Sequence, residues 1–225
     1  IGKWGLGGPG SSGEPNAQGV HHWYGYLCQR VAHNYYPTHL WKNGEKQLLE
    51  GNDYFYPRQK FPEDKDPHDP DSYAEYSGQT YSMDPMAEEA RNFIRANTDH
   101  PFFLYLPFPV PHVSLQVPED SIREYEGAFP EEPYSGDKGY LPHPTPRAAY
   151  AAMITRMDRE VGSIMTLLKE LGIDDNTLVL FSSDNGPTFN GGTDSEFFNS
   201  AGALRGLKTS LYEGGIRVPL ITRWP

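Results

Sequence analysis

A short apolar run that ends in an acidic turn constrains the fold of this chain most. Residues 177–187 read Thr-Leu-Val-Leu-Phe-Ser-Ser-Asp-Asn-Gly-Pro. The β-branched and aromatic residues predict a strand buried on both faces, and the Gly-Pro pair predicts a sharp turn after it. Ligands of open α/β sheets gather at the carboxyl ends of strands. We therefore interpret Asp184 and Asn185 as ligands of a hard divalent cation, although Asp-Asn-Gly alone also fits a turn that merely closes a strand.

Further elements predict how this strand is surrounded. Residues 101–107, Pro-Phe-Phe-Leu-Tyr-Leu-Pro, predict a second buried strand. One helix is predicted to open at Asp84-Pro85, with Asp84 as its N-cap, and a longer one runs from Thr145-Pro146 to Gly172. The order of strand, long helix and strand is a βαβ unit. The sequence thus predicts an α/β fold with a mostly parallel or mixed sheet flanked by helices.

Composition excludes several classes of function. The formal charge of −11 over 225 residues argues against binding to nucleic acid or to an anionic membrane surface. Cys28 is the single cysteine, so no internal disulfide can form. No signal peptide is visible, and no apolar run approaches the length of a membrane span.

Both ends look cut, since residue 1 lies inside a motif and residues 220–225 stop while still strand-like. We expect one partial domain over residues 1–225, and the oligomeric state stays open.

Three basic residues stand out beside predicted strand ends or glycines. Lys3 leaves a predicted strand in Gly-Lys-Trp-Gly, where the glycines allow the backbone to approach an oxyanion closely. His112 follows strand 101–107 in a proline-stiffened loop, and Lys208 lies in Arg-Gly-Leu-Lys. Taken alone, each residue also fits a structural histidine or a solvated lysine.

Residues 20–60 are dense in aromatic residues and histidines, among them His33. Their spacing fits neither a zinc site nor a regular helix. Such side chains suit the walls of a pocket for a polar ring such as a sugar, and they suit the packing of an irregular subdomain equally well.

The order and spacing of these blocks over nearly the whole chain resemble the type I sulfatases, the arylsulfatase branch of the alkaline-phosphatase-like superfamily. The resemblance implies a calcium-dependent hydrolase that cleaves sulfate esters with formylglycine, an oxidised Cys or Ser, as nucleophile. Its implied partner is a small sulfated sugar or aryl sulfate, and its implied location is periplasmic, secreted or lysosomal. By position, Asp184 and Asn185 match the family's calcium ligands. Lys3, His112 and Lys208 match its sulfate-contacting lysine, sulfate-side histidine and second sulfate-binding lysine.

Two departures from the family pattern affect these expectations. Many relatives carry a histidine where this chain has Gly5, and our hypothesis is that His33 takes its place. The family's Cys/Ser-x-Pro-Ser/Ala-Arg nucleophile motif and a pair of calcium-binding aspartates do not occur, and Cys28 does not fit that motif. We therefore expect residues 1–225 alone to be inactive and to bind calcium weakly, because two ligands fill only part of a calcium shell.

Two other functions stay open at this point. One is a phosphatase or phosphodiesterase of the same superfamily, although no Asp-x-x-x-His pattern for a second metal is found near the acidic strand. The other is a non-catalytic protein that binds calcium or an anionic glycan. The nucleophile of the full-length protein would separate these functions.

Overall fold

The computed structural model describes residues 1–225, and its strands form two separate sheets. In the first sheet, β1 and β2 are parallel while β2–β3 and β3–β4 are antiparallel. The second sheet is the antiparallel pair of β5 and β6. The prediction of an α/β fold with a mixed sheet is confirmed. The strands are β1 (Gly2–Lys3), β2 (Tyr24–Tyr26), β3 (His39–Lys42), β4 (Glu45–Leu48), β5 (Val179–Ser182) and β6 (Leu220–Arg223).

Helices α1 and α3 form the framework against which the sheets lie. Methionine, alanine and isoleucine on one face of α1 are buried, as an amphipathic helix requires. The same core takes in β2, β3 and the first half of α3. The α-helices are α1 (Met83–Ala96), α2 (Glu119–Ile122), α3 (Pro146–Glu170) and α4 (Glu213–Ile216), and the 3₁₀ helices are Asn16–Gln18, Val31–His33, Pro70–Tyr76, Arg123–Tyr125 and Asp174–Asn176. None of these helices combines the length and apolarity needed to cross a bilayer.

The predicted βαβ unit is not formed by neighbouring strands. Residues 101–107 form no strand of either sheet. They bond to the first residues of the chain instead of β5, through Lys3 N to Pro107 O at 2.9 Å and Ile1 N to Tyr105 O at 2.9 Å. Val179 of β5 and Leu104 both pack on the cluster of α1 and α3 side chains. The long helix therefore lies on both segments although they do not pair.

The prediction that these two segments are buried on both faces is wrong for this chain. Phe103 is 88% exposed, Tyr105 60% and Leu180 60%, because each segment packs on the helices with alternate side chains only. The opposite face of each segment is largely exposed.

The helix N-termini also differ from the prediction. Helix α1 starts at Met83, and Asp84 does not cap it, because its carboxylate accepts hydrogen bonds from Arg156 at 3.0 and 2.8 Å. Helix α3 starts at Pro146 as predicted, yet Thr145 makes no side-chain cap. Its first free N–H groups, from residues 147 and 148, instead donate to the distant Glu131 carboxylate at 3.1 and 2.7 Å.

Candidate active site

Lys3 is held between two backbone segments at the edge of the first sheet. Its N–H donates to Pro107 O, and it pairs with Tyr26 across β1 and β2. The backbone at Gly2 is so close to Pro107 and Gly25 that a Cβ on Gly2 would lie 2.2 Å from Pro107 O. The Lys3 ammonium takes part in no hydrogen bond or ion pair of the structure. Main-chain packing alone therefore sets the position of the Lys3 backbone, and no partner holds its side chain.

His112 lies in a loop that buried hydrogen bonds attach to residues 33–35. The Tyr35 hydroxyl lies 2.8 Å from the carbonyl oxygens of both Pro109 and His112. The Ser114 hydroxyl donates to the carbonyl oxygen of His33 at 3.0 Å. Because Tyr35 is fully buried, these bonds are shielded from water and hold the loop firmly.

These attachments place His33 and His112 face to face. Their ring centroids are 4.8 Å apart, with an angle of 4° between the planes. Tyr140 stands edge-on to both rings, at 5.2 Å from His33 and 5.8 Å from His112. We call His33, His112 and Tyr140 the histidine wall. Sequence reasoning named both histidines but did not predict that they stack.

The imidazoles of the histidine wall strongly favour their neutral forms. Burial and the nearby Lys208 and Lys3 ammonium groups together lower the pKa of His112 to about 4. Burial, His112 and the cations Lys3, Arg58 and Lys208 lower the pKa of His33 to about 3. His112 Nδ1 lies 2.6 Å from Val113 O, so the neutral ring carries its proton on Nδ1 and leaves Nε2 without one.

Asp184 and Asn185 follow β5 directly and offer free oxygen atoms. The Asp184 side chain is exposed and takes part in no hydrogen bond or ion pair of the structure. The Asn185 amide nitrogen donates to Gly186 O at 2.9 Å, so its Oδ1 has no partner. We call Asp184, Asn185 and Lys208 the carboxylate edge.

Lys208 reaches this edge because two glycine turns pack against each other. Its N–H donates to Pro187 O at 2.8 Å, and Gly186 N donates to Gly215 O at 3.0 Å. A Cβ on Gly186 would lie 1.9 Å from Gly214 O, so no larger residue fits this approach. The Lys208 backbone is thereby held against the turn that follows Asp184, although it lies about 20 residues further along the sequence.

The charges of the carboxylate edge act on Lys3 and on the histidine wall. Burial lowers the pKa of Lys3, Lys208 lowers it further, and Asp184 raises it. Lys208, Lys3 and Asp184 all shift the pKa of His112 as well. The structure thus brings together Lys3, His33, His112, Lys208 and Asp184, five of the six residues named from sequence, and Asn185 adjoins them in the chain.

Our hypothesis is that His33 replaces the histidine that many relatives carry at Gly5. In the structure a different side chain lies beside Gly5. Gly5 adopts the left-handed conformation, with φ of 84°, where a histidine would be strained. The side chain beside it is Gln29, whose Cβ and Oε1 would lie 3.4 and 3.5 Å from a Cβ at this position. His33 instead stacks on His112, so its role as a replacement stays a prediction.

Sequence reasoning missed Arg58 and Tyr140 at this site. Arg58 lies over the Tyr140 ring, 4.8 Å from its centroid. The only signal in the sequence is that Arg58 is a basic residue within an acidic, loop-forming segment. Its contact with residue 140 depends on chain folding that no local pattern encodes.

A comparison with models of protein families shows which family this chain belongs to. The model of the family described as Sulfatase matches residues 1–225. The chain belongs to the sulfatase family. This sulfatase chain is 31% identical to N-acetylgalactosamine-6-O-sulfatase of Bacteroides thetaiotaomicron over 148 residues, which cover 63% of the chain and 25% of that relative. It is 33% identical to steryl-sulfatase of Rattus norvegicus over 153 residues, which cover 67% and 22%. The sulfatase chain thus spans about a quarter of the length of these relatives.

Solved structures support the fold. Ps i-CgsB, solved in complex with k-i-k-neocarrahexaose, matches the whole sulfatase chain and 44% of its own with a TM-score of 0.69 at 26% identity. The putative sulfatase yidJ from Bacteroides fragilis matches 92% of the chain and 38% of its own with a TM-score of 0.57 at 22% identity. The predicted alkaline-phosphatase-like, mixed α/β fold is therefore confirmed.

Proposed function

We propose that the full-length protein containing this chain hydrolyses a sulfate ester in a calcium-dependent reaction. One observation carries the proposal: two unpaired ammonium groups, Lys3 and Lys208, are electrostatically coupled to each other and to the His112 imidazole, and the Asp184 carboxylate acts on Lys3 and His112. A sulfate ester carries negative charge on its non-bridging oxygens. Fixed cations in a partly desolvated site stabilise that charge and its growth in the transition state.

The lysines and His112 have different roles in this reaction. Lys3 and Lys208 bind and orient the anionic ester. His112 holds its Nδ1 proton on Val113 O, so Nε2 is the atom that takes up and returns a proton at the leaving oxygen. With a pKa near 4, His112 is neutral in the free protein at pH 7. A bound anion raises that pKa because it offsets the Lys3 and Lys208 charges.

The carboxylate edge fits part of a calcium site. The Asp184 carboxylate and Asn185 Oδ1 are hard oxygen donors without other partners, which is the donor type that calcium selects. Calcium takes about six to eight oxygen ligands, and these two residues supply only part of them. We propose that the remaining ligands come from outside residues 1–225. When bound, calcium would supply a positive charge that favours an ionised nucleophile.

We also propose that the nucleophile is a formylglycine from a part of the protein outside residues 1–225. Its motif, Cys/Ser-x-Pro-Ser/Ala-Arg, does not occur in this sequence, and Cys28 lies in Tyr-Leu-Cys-Gln-Arg. Peptide mass spectrometry of the full-length protein would detect the oxidised residue. An unmodified Thr or Ser nucleophile outside that motif would instead favour the phosphatase alternative.

We propose a sulfated sugar as the substrate class and keep an aryl sulfate as the alternative, because the relatives include both a sugar sulfatase and a steryl-sulfatase. One relative is named for N-acetylgalactosamine 6-O-sulfate, and the structure of Ps i-CgsB contains a neocarrahexaose. The half-buried His112 imidazole and Tyr140 ring provide flat surfaces against which a pyranose ring can pack.

The test is an activity panel with the full-length protein. We expect release of sulfate from sulfated monosaccharides, slower release from p-nitrophenyl sulfate, and loss of activity on calcium chelation that added calcium restores. Faster hydrolysis of p-nitrophenyl phosphate would overturn the proposal in favour of a phosphatase. Binding of sulfated sugars without turnover would overturn it in favour of a non-catalytic binder.

A further inference from the structure

Arg58 differs from the arginines that tie the framework together. Arg91, Arg147, Arg156 and Arg223 each pair with a carboxylate. Arg58 takes part in no ion pair, although the chain carries a net charge of −11. An exposed cation that stays unpaired in an acidic protein remains available to an external anion.

The Arg58 guanidinium is fixed against the histidine wall and not free in solvent. It lies 4.8 Å from the centroid of the Tyr140 ring, and its Nη2 lies 3.4 Å from the Tyr140 hydroxyl. Tyr140 in turn touches His33 and His112 with its edge. Arg58 also lowers the pKa of His33, so its charge reaches the site.

The backbone on both sides of Arg58 is docked. Ser114 Oγ donates to Pro57 O at 3.4 Å on one side, and Phe61 N donates to Ser135 O at 2.8 Å on the other. Tyr140 itself adopts a left-handed conformation with φ of 71°, which a bulky residue rarely does. Surrounding contacts must therefore maintain it, and the Arg58–Tyr140 pair is organised before any ligand binds.

We propose that Arg58, supported by Tyr140, binds a second anionic group of a sugar substrate next to the ester that is hydrolysed. This inference rests on the proposed function and narrows it to sugars that carry an additional sulfate or carboxylate. The guanidinium fork matches the paired oxygens of either group. Arg58 contacts Tyr140, which in turn contacts His112, so an anion on Arg58 would lie beside the reacting sulfate and not on it.

The decisive experiment compares matched substrates in the full-length protein. The probes are a monosulfated pyranoside, the same pyranoside with a second sulfate, and a disaccharide with the same scissile sulfate and a uronate carboxylate. We expect Arg58→Ala to lower kcat/KM about 10- to 100-fold for a doubly anionic probe, mainly through KM, because a charge-assisted bidentate contact is lost. The monosulfated probe should change less than about threefold. The probe that responds identifies sulfate or carboxylate as the recognised group.

Lys46→Ala is the matched control. Lys46 is also an exposed cation over an aromatic ring, 5.6 Å from the Trp41 centroid, on a strand away from the histidine wall. Its loss removes the same charge and should not change the preference for doubly anionic probes. Arg58→Lys keeps the positive charge but should lose most of the preference for doubly anionic probes, because an ammonium lacks the fork of the guanidinium group.

Two results would overturn the inference while the proposed function survives. These are an equal loss on all three probes and no loss on any. If the wild-type protein hydrolyses none of them, the proposed function fails, and calorimetry then decides the role of Arg58. Tighter binding of a doubly anionic probe that disappears in Arg58→Ala and in Arg58→Gln would support it, whereas equal binding would refute it. Circular dichroism of both variants checks that they are folded.

Discussion

The histidine wall and the carboxylate edge face the same space but are built in opposite ways. His33 is only 6% exposed, and its segment is bonded to the His112 loop through buried Tyr35 and Ser114. Asp184 is exposed and unpartnered, and β5 pairs with β6 alone. One region is complete without a ligand. The other presents oxygens that have no partner within residues 1–225.

The two regions therefore differ in how much they contribute to folding stability and how much to activity. Burying two neutral imidazoles beside cations is unfavourable for their protonation, and the surrounding core maintains the arrangement. Leaving a carboxylate in water costs the fold little. Substitutions in the two regions should therefore divide differently between activity and stability.

The largest effect is expected at the carboxylate edge. In the full-length protein, Asp184→Ala should lower kcat/KM by about 1000-fold, because a metal ligand and its charge are lost from the site. The free energy of unfolding without calcium should change by less than about 0.5 kcal/mol, since the side chain has no partner. Sulfate release and urea denaturation measure the two quantities.

Asp99→Ala is the matched control for that variant, because Asp99 is another exposed aspartate without an ion pair. It should leave both quantities unchanged. A large loss of stability in Asp184→Ala would show that the edge has a structural role and would break the contrast between the two regions.

A smaller effect on activity is expected at the histidine wall. His112→Gln should lower kcat by about 100-fold, because glutamine cannot transfer a proton at the leaving oxygen. The loss should shrink for substrates with better leaving groups, such as p-nitrophenyl sulfate, which need less protonation. An equal loss for good and poor leaving groups would assign His112 to binding alone.

A third effect concerns stability in acid and not activity at neutral pH. Burial holds the pKa of His33 at about 3 and those of His112 and His143 at about 4, below the unfolded value of 6.5. Between pH 6.5 and about 4 the unfolded chain binds more protons, so stability should fall as pH falls through this window and stay level above it. The slope is at most about 1.4 kcal/mol per pH unit for each histidine.

Urea unfolding at pH 7.5, 6 and 5 tests this pH dependence. His143→Gln, which lies outside the site, should reduce the slope by about a third of the histidine contribution. An unchanged slope in this variant would mean that His143 protonates freely in the folded state.

Much of the site could be predicted because its parts are local in the sequence. The strand that ends in Asp184-Asn185, the long helix from Pro146 and the loop around His112 each carry their own pattern of apolar, capping or turn residues. Their order also carries the family resemblance. By contrast, the prediction that Asp84 caps α1 failed, because a tertiary partner, Arg156, binds its carboxylate instead.

The sequence by itself therefore determined the elements, their order, and the residue types that meet at the site. Only the tertiary structure decided that His33 stacks on His112, that Gln29 lies beside Gly5 and that Arg58 lies on Tyr140. Each of these contacts joins segments far apart in the chain, and each depends on how buried hydrogen bonds and close glycine packing orient the loops. Such contacts produce no periodic pattern or fixed spacing in the sequence, because the segments that connect the contacting residues can vary in length and composition.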